Sequence, residues 1–153
     1  MMKRLAILLV ICLVTLAVIP GPALAKAEKV DLIPCPVYYT NNPPPPPGGG
    51  FVVFNDSAGP DNLEVTVSLK GVLNNTYEIY LFVDGVTLAY ATLEGTVTTD
   101  EEGNANFHFN TAVTPGTHTL HIMCFAAPRS LTSDRYETPG MHPPLGGTIL
   151  TFK

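Results

Sequence analysis

The chain predicts an all-β protein, an antiparallel β-sandwich of about 7–9 strands, on three observations. Leu63-Glu64-Val65-Thr66-Val67-Ser68-Leu69-Lys70 alternates apolar and polar residues without a fault, the signature of a half-buried strand. Turn signals recur every 8 to 15 residues, the spacing of short strands rather than of helices. No stretch carries a convincing helical period.

Residues 1–25 predict a secretory signal peptide. Lys3 and Arg4 precede an apolar run, Leu5 to Ile19, interrupted only by Thr15. Pro20-Gly21-Pro22 breaks the run and Ala23-Leu24-Ala25 supplies an A-x-A cleavage end. The 15-residue run falls short of the roughly 20 residues a spanning helix needs; the competing reading is an uncleaved N-terminal anchor. Cys12 follows Ile11, where a lipid-modified cysteine generally follows a small residue, so it reads as signal sequence lost on cleavage. No later run approaches membrane-spanning length, so no membrane span is expected after cleavage.

Cleavage after Ala25 leaves residues 26–153, enough for one domain. The chain has 8 basic and 13 acidic residues; losing Lys3 and Arg4 leaves six against thirteen, a net charge of −7. That balance argues against a nucleic-acid partner, which requires basic density, and against electrostatic docking on anionic lipid.

The elements follow in order. Residues 26–42 form an N-terminal arm whose apolar part runs from Val30 to Tyr39. Pro34 and Pro36 delete N–H donors on one edge only, while Ile33, Cys35 and Val37 keep theirs on the other, so the arm reads as an edge strand. Pro43–Pro47 and Gly48–Gly50 make a linker, a polyproline II rod and then a flexible joint. The sandwich occupies residues 51–153. After Leu63–Lys70, the stretch Tyr77–Val83 alternates again with Tyr77, Ile79, Leu81 and Val83 on one face, and Asp84-Gly85 signals a turn. Leu88–Thr98 is mixed, and Asp100-Glu101-Glu102-Gly103-Asn104 is a turn. Ala105, Phe107 and Phe109 alternate with Asn106, His108 and Asn110; beyond Thr114-Pro115-Gly116, His118, Leu120, Ile122 and Cys124 alternate with Thr119, His121 and Met123. Residues 147–152 close the sheet after a long loop, residues 128–146.

The stretch from Leu69 through Tyr77-Glu78-Ile79-Tyr80-Leu81, with Thr98-Thr99-Asp100, Gly103-Asn104, Phe107 and Pro115-Gly116 after it, resembles the fibronectin type III and related immunoglobulin-like domains of secreted prokaryotic proteins. The resemblance covers residues 63–125. It implies an immunoglobulin-like sandwich in which the Tyr77 hydroxyl returns to a backbone group upstream and pins the crossover between sheets. At least three strands follow this corner, where fibronectin type III has about two. The shared motifs are structural and imply no activity.

Cys35 and Cys124 survive cleavage, an even number in an oxidising compartment. A Cys35–Cys124 disulfide would staple the arm to the sandwich and stabilise it by up to about 4–5 kcal/mol; the alternative is two unpaired thiols. If Phe107 pairs with Leu120 in a hairpin, His108 and His121 both point outward on diagonal positions within reach of one metal ion. No third ligand accompanies them, so no metal site is assigned. Asp100–Asn106 places oxygens at alternate positions like a calcium loop, but its glycine comes fourth and no glutamate closes it, so it reads as a turn. No G-x-S-x-G is present, and Ser57, Ser68, Ser130 and Ser133 lack a neighbouring base pattern. Asn55-Asp56-Ser57 and Asn74-Asn75-Thr76 are formal glycosylation sequons.

The sequence therefore predicts a secreted or cell-surface, non-enzymatic protein acting by binding or assembly, without a cofactor. Its partner is a protein or cell-envelope component, a second copy included. Residues 126–146 carry the expected partner surface, with Arg129, Arg135, Tyr136, Met141 and His142. Two alternatives are a structural subunit that polymerises by strand addition of the arm, and a small-ligand module that binds carbohydrate through Tyr80 and Tyr90 or a metal.

Overall fold

The computed structural model describes residues 27–35, 45–57, 59–85, 91–129, 133–140 and 147–152. Among them are nine strands and no helix: β1 (Ala27–Pro34), β2 (Gly49–Asp56), β3 (Leu63–Lys70), β4 (Thr76–Val83), β5 (Ala91–Thr98), β6 (Ala105–Thr111), β7 (Gly116–Ala126), β8 (Arg135–Glu137) and β9 (Thr148–Phe152). Every ladder is antiparallel, in the order β5-β4-β7-β8-β1-β2-β3-β6 with β9 also on β7. The two ends of that order meet: the Phe107 ring of β6 lies against Gly95 of β5, where an added Cβ would stand 2.6 Å from its Cζ. The sheet is thus an all-β, nearly closed barrel-like array. Its open seam is a groove of about 560 Å³ between β1 and β9, lined by Glu28, Val30, Thr148 and Ile149.

The alternation read from sequence forms the core. Leu63, Val65, Val67 and Leu69 are each no more than 1% exposed, and Tyr77, Ile79 and Leu81 pack against them. The Tyr77 hydroxyl donates to the Leu73 carbonyl (3.0 Å), and burial first, then the Asp134 charge, pushes its pKa up to about 12.

β6 and β7 do not form the expected hairpin. Phe107 pairs with Val67 on β3, and Leu120 pairs with Val83 on β4. The apolar row Ala105, Phe107, Phe109 falls in register with Leu69, Val67 and Val65, so β6 extends the core face of β3. The chain then crosses the barrel through a turn gripped by Asn62, which accepts from the Val113 N–H (2.7 Å) and donates to the Val113 carbonyl (2.9 Å).

The arm strand borders the open seam over most of its length and is enclosed only at its end. β1 pairs with β2 over Ala27–Leu32 and with β8 at Ile33 and Pro34, and the Cys35 N–H donates to the Arg135 carbonyl (3.1 Å). Because N–H groups alternate sides along a strand, Pro34 directs its missing donor toward β2, just beyond the last pair, Leu32↔Gly50, and deletes no ladder bond. Two of the glycines expected to form a flexible joint, Gly49 and Gly50, lie inside β2. A Cβ at Gly50 would stand 1.9 Å from the Ser68 carbonyl oxygen, so this glycine permits close strand approach.

The expected disulfide is absent: no S–S bond joins Cys35 and Cys124, and both are buried. The reason is β8, a strand within residues 128–146, the expected loop. Cys124 pairs with Tyr136, while Cys35 bonds to Arg135 from the other side of the same strand. One interposed strand separates the two cysteines by about two inter-strand spacings, roughly 9–10 Å, beyond the roughly 7 Å limit for a disulfide. Burial pushes the Cys124 thiol pKa up.

Candidate functional site

The expected histidine pair is divided by the topology. His108 sits on the exposed face of β6, with Nδ1 3.2 Å from Thr66 Oγ1 and Nε2 3.5 Å from Glu64 Oε1. His121 lies on β7, where the wet outer face expected for it is replaced by burial: it is 2% exposed. The two therefore cannot share an ion. Among the described residues no group of three or more His, Cys, Asp or Glu side chains is arranged to hold a metal.

The expected partner surface is also divided. Tyr136 is fully buried, edge-on to Tyr77 with ring centroids 5.9 Å apart, and its hydroxyl donates to the Pro47 carbonyl (2.8 Å). It is a core residue because β8 inserts between β1 and β7. Arg129 is exposed and Arg135 half-buried. Met141, His142 and Tyr90 lie outside the described residues, as does the signal segment.

Arg129 and Arg135 instead mark the outer face of the sheet formed by β5, β4, β7 and β8. Strand pairing lines up one row across it: Leu93 opposite Tyr80, Tyr80 opposite Met123, Met123 opposite Glu137, and Glu137 opposite Ile33 of β1. Phe82 and Phe125 flank this row and join Met123 in a second apolar cluster. β7 is consequently buried on both faces from Leu120 to Ala126. Its sequence carries the signal: Ile122-Met123-Cys124-Phe125-Ala126 is apolar at both parities, as a doubly covered strand requires.

Tyr80 and Phe125 meet edge to face at 5.6 Å. The Arg129 guanidinium lies 5.2 Å from the Tyr80 centroid and 5.8 Å from that of Phe125, and Arg135 stands 5.3 Å from Phe125. Such a contact contributes about 0.5–1 kcal/mol when exposed, and at exposed Arg129 it leaves the planar N–H edges of the guanidinium able to receive a carboxylate. The Tyr80 hydroxyl donates to Glu78 Oε2 (2.9 Å), and its pKa is raised by partial burial and by that carboxylate. Leu93, at the end of the row, is 51% exposed.

A second constellation joins the end of β4 to the start of β7. Asp84 accepts from the Thr119 N–H (2.9 Å) through Oδ1 and meets His118 Nδ1 (2.6 Å) through Oδ2; these bonds, in that order, lower its pKa. His118 Nε2 lies 2.9 Å from the Thr114 carbonyl but 3.4 Å from its hydroxyl. The trio thereby clasps the end of β4 to the start of β7.

His121 gives a pH signature. Its Nδ1 is buried with no hydrogen-bond partner among the described residues, and desolvation lowers its pKa from 6.5. The unfolded chain then binds a proton that the folded chain refuses, so stability is complete above pH 6.5, declines as pH falls through that value, and levels off below the folded pKa. Urea midpoints measured from pH 7.5 downward should show this decline, and His121→Phe should flatten it; an unchanged slope in the variant would exclude His121 as its source.

No known protein family, curated protein or solved structure matches the chain.

Proposed function

We propose that this is a secreted or cell-surface, non-enzymatic protein that acts by binding or assembly through an immunoglobulin-like sandwich. Support for the fold comes from the spacing of its pairings. β6 lies on β3 and β7 on β4, each partner three strands later in the chain, as strands E on B and F on C are in that fold. The Tyr77 to Leu73 bond stands at the β3–β4 crossover. Support for export comes from residues 1–25.

The observation that carries the binding role is the outer face of β5, β4, β7 and β8, where exposed Leu93 and Arg129 border the Tyr80–Phe125 pair. The opposite sheet presents Glu64, Thr66, Asn106 and His108 instead, an ordinary wet face. Polymerisation by the arm would require exchange of β1, which is already paired within its own chain. Carbohydrate stacking on Tyr80 would require a free ring face, and Arg129 lies over that ring.

A photo-crosslinking residue at position 93, in the cells that produce the protein, should capture a partner; the same residue at position 106 should not. Equal capture from both positions, or none from position 93, would remove the binding role of this face.

A further inference from the structure

We propose that the outer-face site takes a second copy of this chain, with the Asp100–Glu102 turn of one copy against exposed Arg129 and Leu93 of the other. This rests on the binding role proposed above and names the partner.

The site exposes an apolar side chain, Leu93, beside a basic one, Arg129, and the occupant should set an apolar side chain beside acidic ones. Arg129 forms no ion pair among the described residues, although it is held in place over two rings. In a chain with 13 acidic and 8 basic residues, an exposed arginine without an ion pair selects an acidic partner.

The chain itself presents one. Asp100, Glu101 and Glu102 are exposed at the tip of the β5–β6 connection. The turn is rigid: Gly103 N–H donates to the Asp100 carbonyl (3.0 Å), Asp100 N–H to the Asn104 carbonyl (2.9 Å), and Asn104 N–H to Asp100 Oδ1 (2.7 Å). That last bond engages Asp100 locally and leaves Glu101 and Glu102 as the outward carboxylates. Beside them stands Leu73, 44% exposed, on the segment whose Val72 N–H donates to the Gly103 carbonyl (3.1 Å). The knob therefore pairs an exposed leucine with two carboxylates, the complement of exposed Leu93 and Arg129.

Topology makes the contact reciprocal. Thr76 pairs with Thr98 just before the acidic turn, and Tyr77 pairs with Ala126 just before Arg129. Knob and site thus leave the same end of the barrel, so two copies related by a two-fold axis can satisfy both at once, closing the assembly at a dimer.

Sedimentation equilibrium on protein purified from cells expressing the full chain tests this. A concentration-dependent dimer is expected, weakened by salt because its charges are exposed. Arg129→Glu, and separately Glu101→Arg with Glu102→Arg, should each weaken association about tenfold or more through like-charge contact. Combining them should restore it to within about threefold, since the pairs are reversed rather than removed. Circular dichroism of each variant checks folding. A chain that stays monomeric, a dimer that Arg129→Glu leaves intact, or charge reversals that fail to rescue one another would each overturn the proposal. Capture of a different protein from position 93, by a chain that stays monomeric, would keep the binding role and discard the second copy.

Discussion

Gly103→Ala is expected to destabilise the protein by about 3 kcal/mol or more, placing it among the most damaging single-methyl substitutions a domain can carry. Gly103 is buried in the turn after Asp100 with φ +76°, and an added Cβ would stand 1.8 Å from the Val72 carbonyl oxygen and 2.7 Å from the Val72 nitrogen. The methyl group must therefore break the Val72 N–H to Gly103 carbonyl bond (3.1 Å). That bond holds the segment whose next carbonyl, on Leu73, receives the Tyr77 hydroxyl (3.0 Å) and stands 3.3 Å from Thr99 Oγ1. The control is Gly71→Ala. Gly71 also has a positive φ, +61°, yet the nearest heavy atom to its added Cβ is 4.0 Å away. It bears the conformational cost alone, about 1 kcal/mol. Urea unfolding of both variants separates the clash from the backbone preference. Equal losses would show that the Val72 contact carries no weight.

What the sequence made legible was local. Period-two alternation located β3, β4, β6 and β7 and named the core row Leu63, Val65, Val67 and Leu69, because a strand's inward positions are written in consecutive residues. It misled where a residue's surroundings come from elsewhere in the chain. The turn Thr114-Pro115-Gly116 reads as a hairpin, but Ala105, Phe107 and Phe109 find a better partner in β3, 40 residues upstream for the Phe107↔Val67 pair. β8 is three residues long and exists only because β1 and β7 offer edges on both sides, so nothing local announces it; with it go the disulfide and the surface role of Tyr136. The candidate site was half visible. Tyr80, Arg129 and Arg135 were singled out separately, while Phe125 and Met123 were overlooked as a second apolar face in a run read only by alternation.

Asn62→Ala should cost about 2 kcal/mol, the combined effect of two side-chain bonds to one residue's backbone and the buried groups they leave unpaired. The Asn62 amide imitates a paired strand residue, accepting from Val113 N–H at 2.7 Å and donating to the Val113 carbonyl at 2.9 Å. It thereby seats Val113, 7% exposed, at the point where the chain leaves β6 and crosses to β7. Asn62→Asp isolates the two halves. The carboxylate can still accept from the Val113 N–H but faces the carbonyl oxygen without a donor, so at neutral pH it should be at least as damaging as alanine. Acidification should recover part of the loss, because a protonated carboxyl regains an O–H donor. Chemical denaturation of the three proteins at pH 7 and near pH 4 distinguishes these terms; an aspartate variant as stable as wild type at pH 7 would mean that the donor half contributes nothing. The consequence reaches the candidate site. The crossing that Asn62 holds sends His108 and His121 to strands that do not pair and delivers β7 to β4, which is what brings Phe125 against Tyr80.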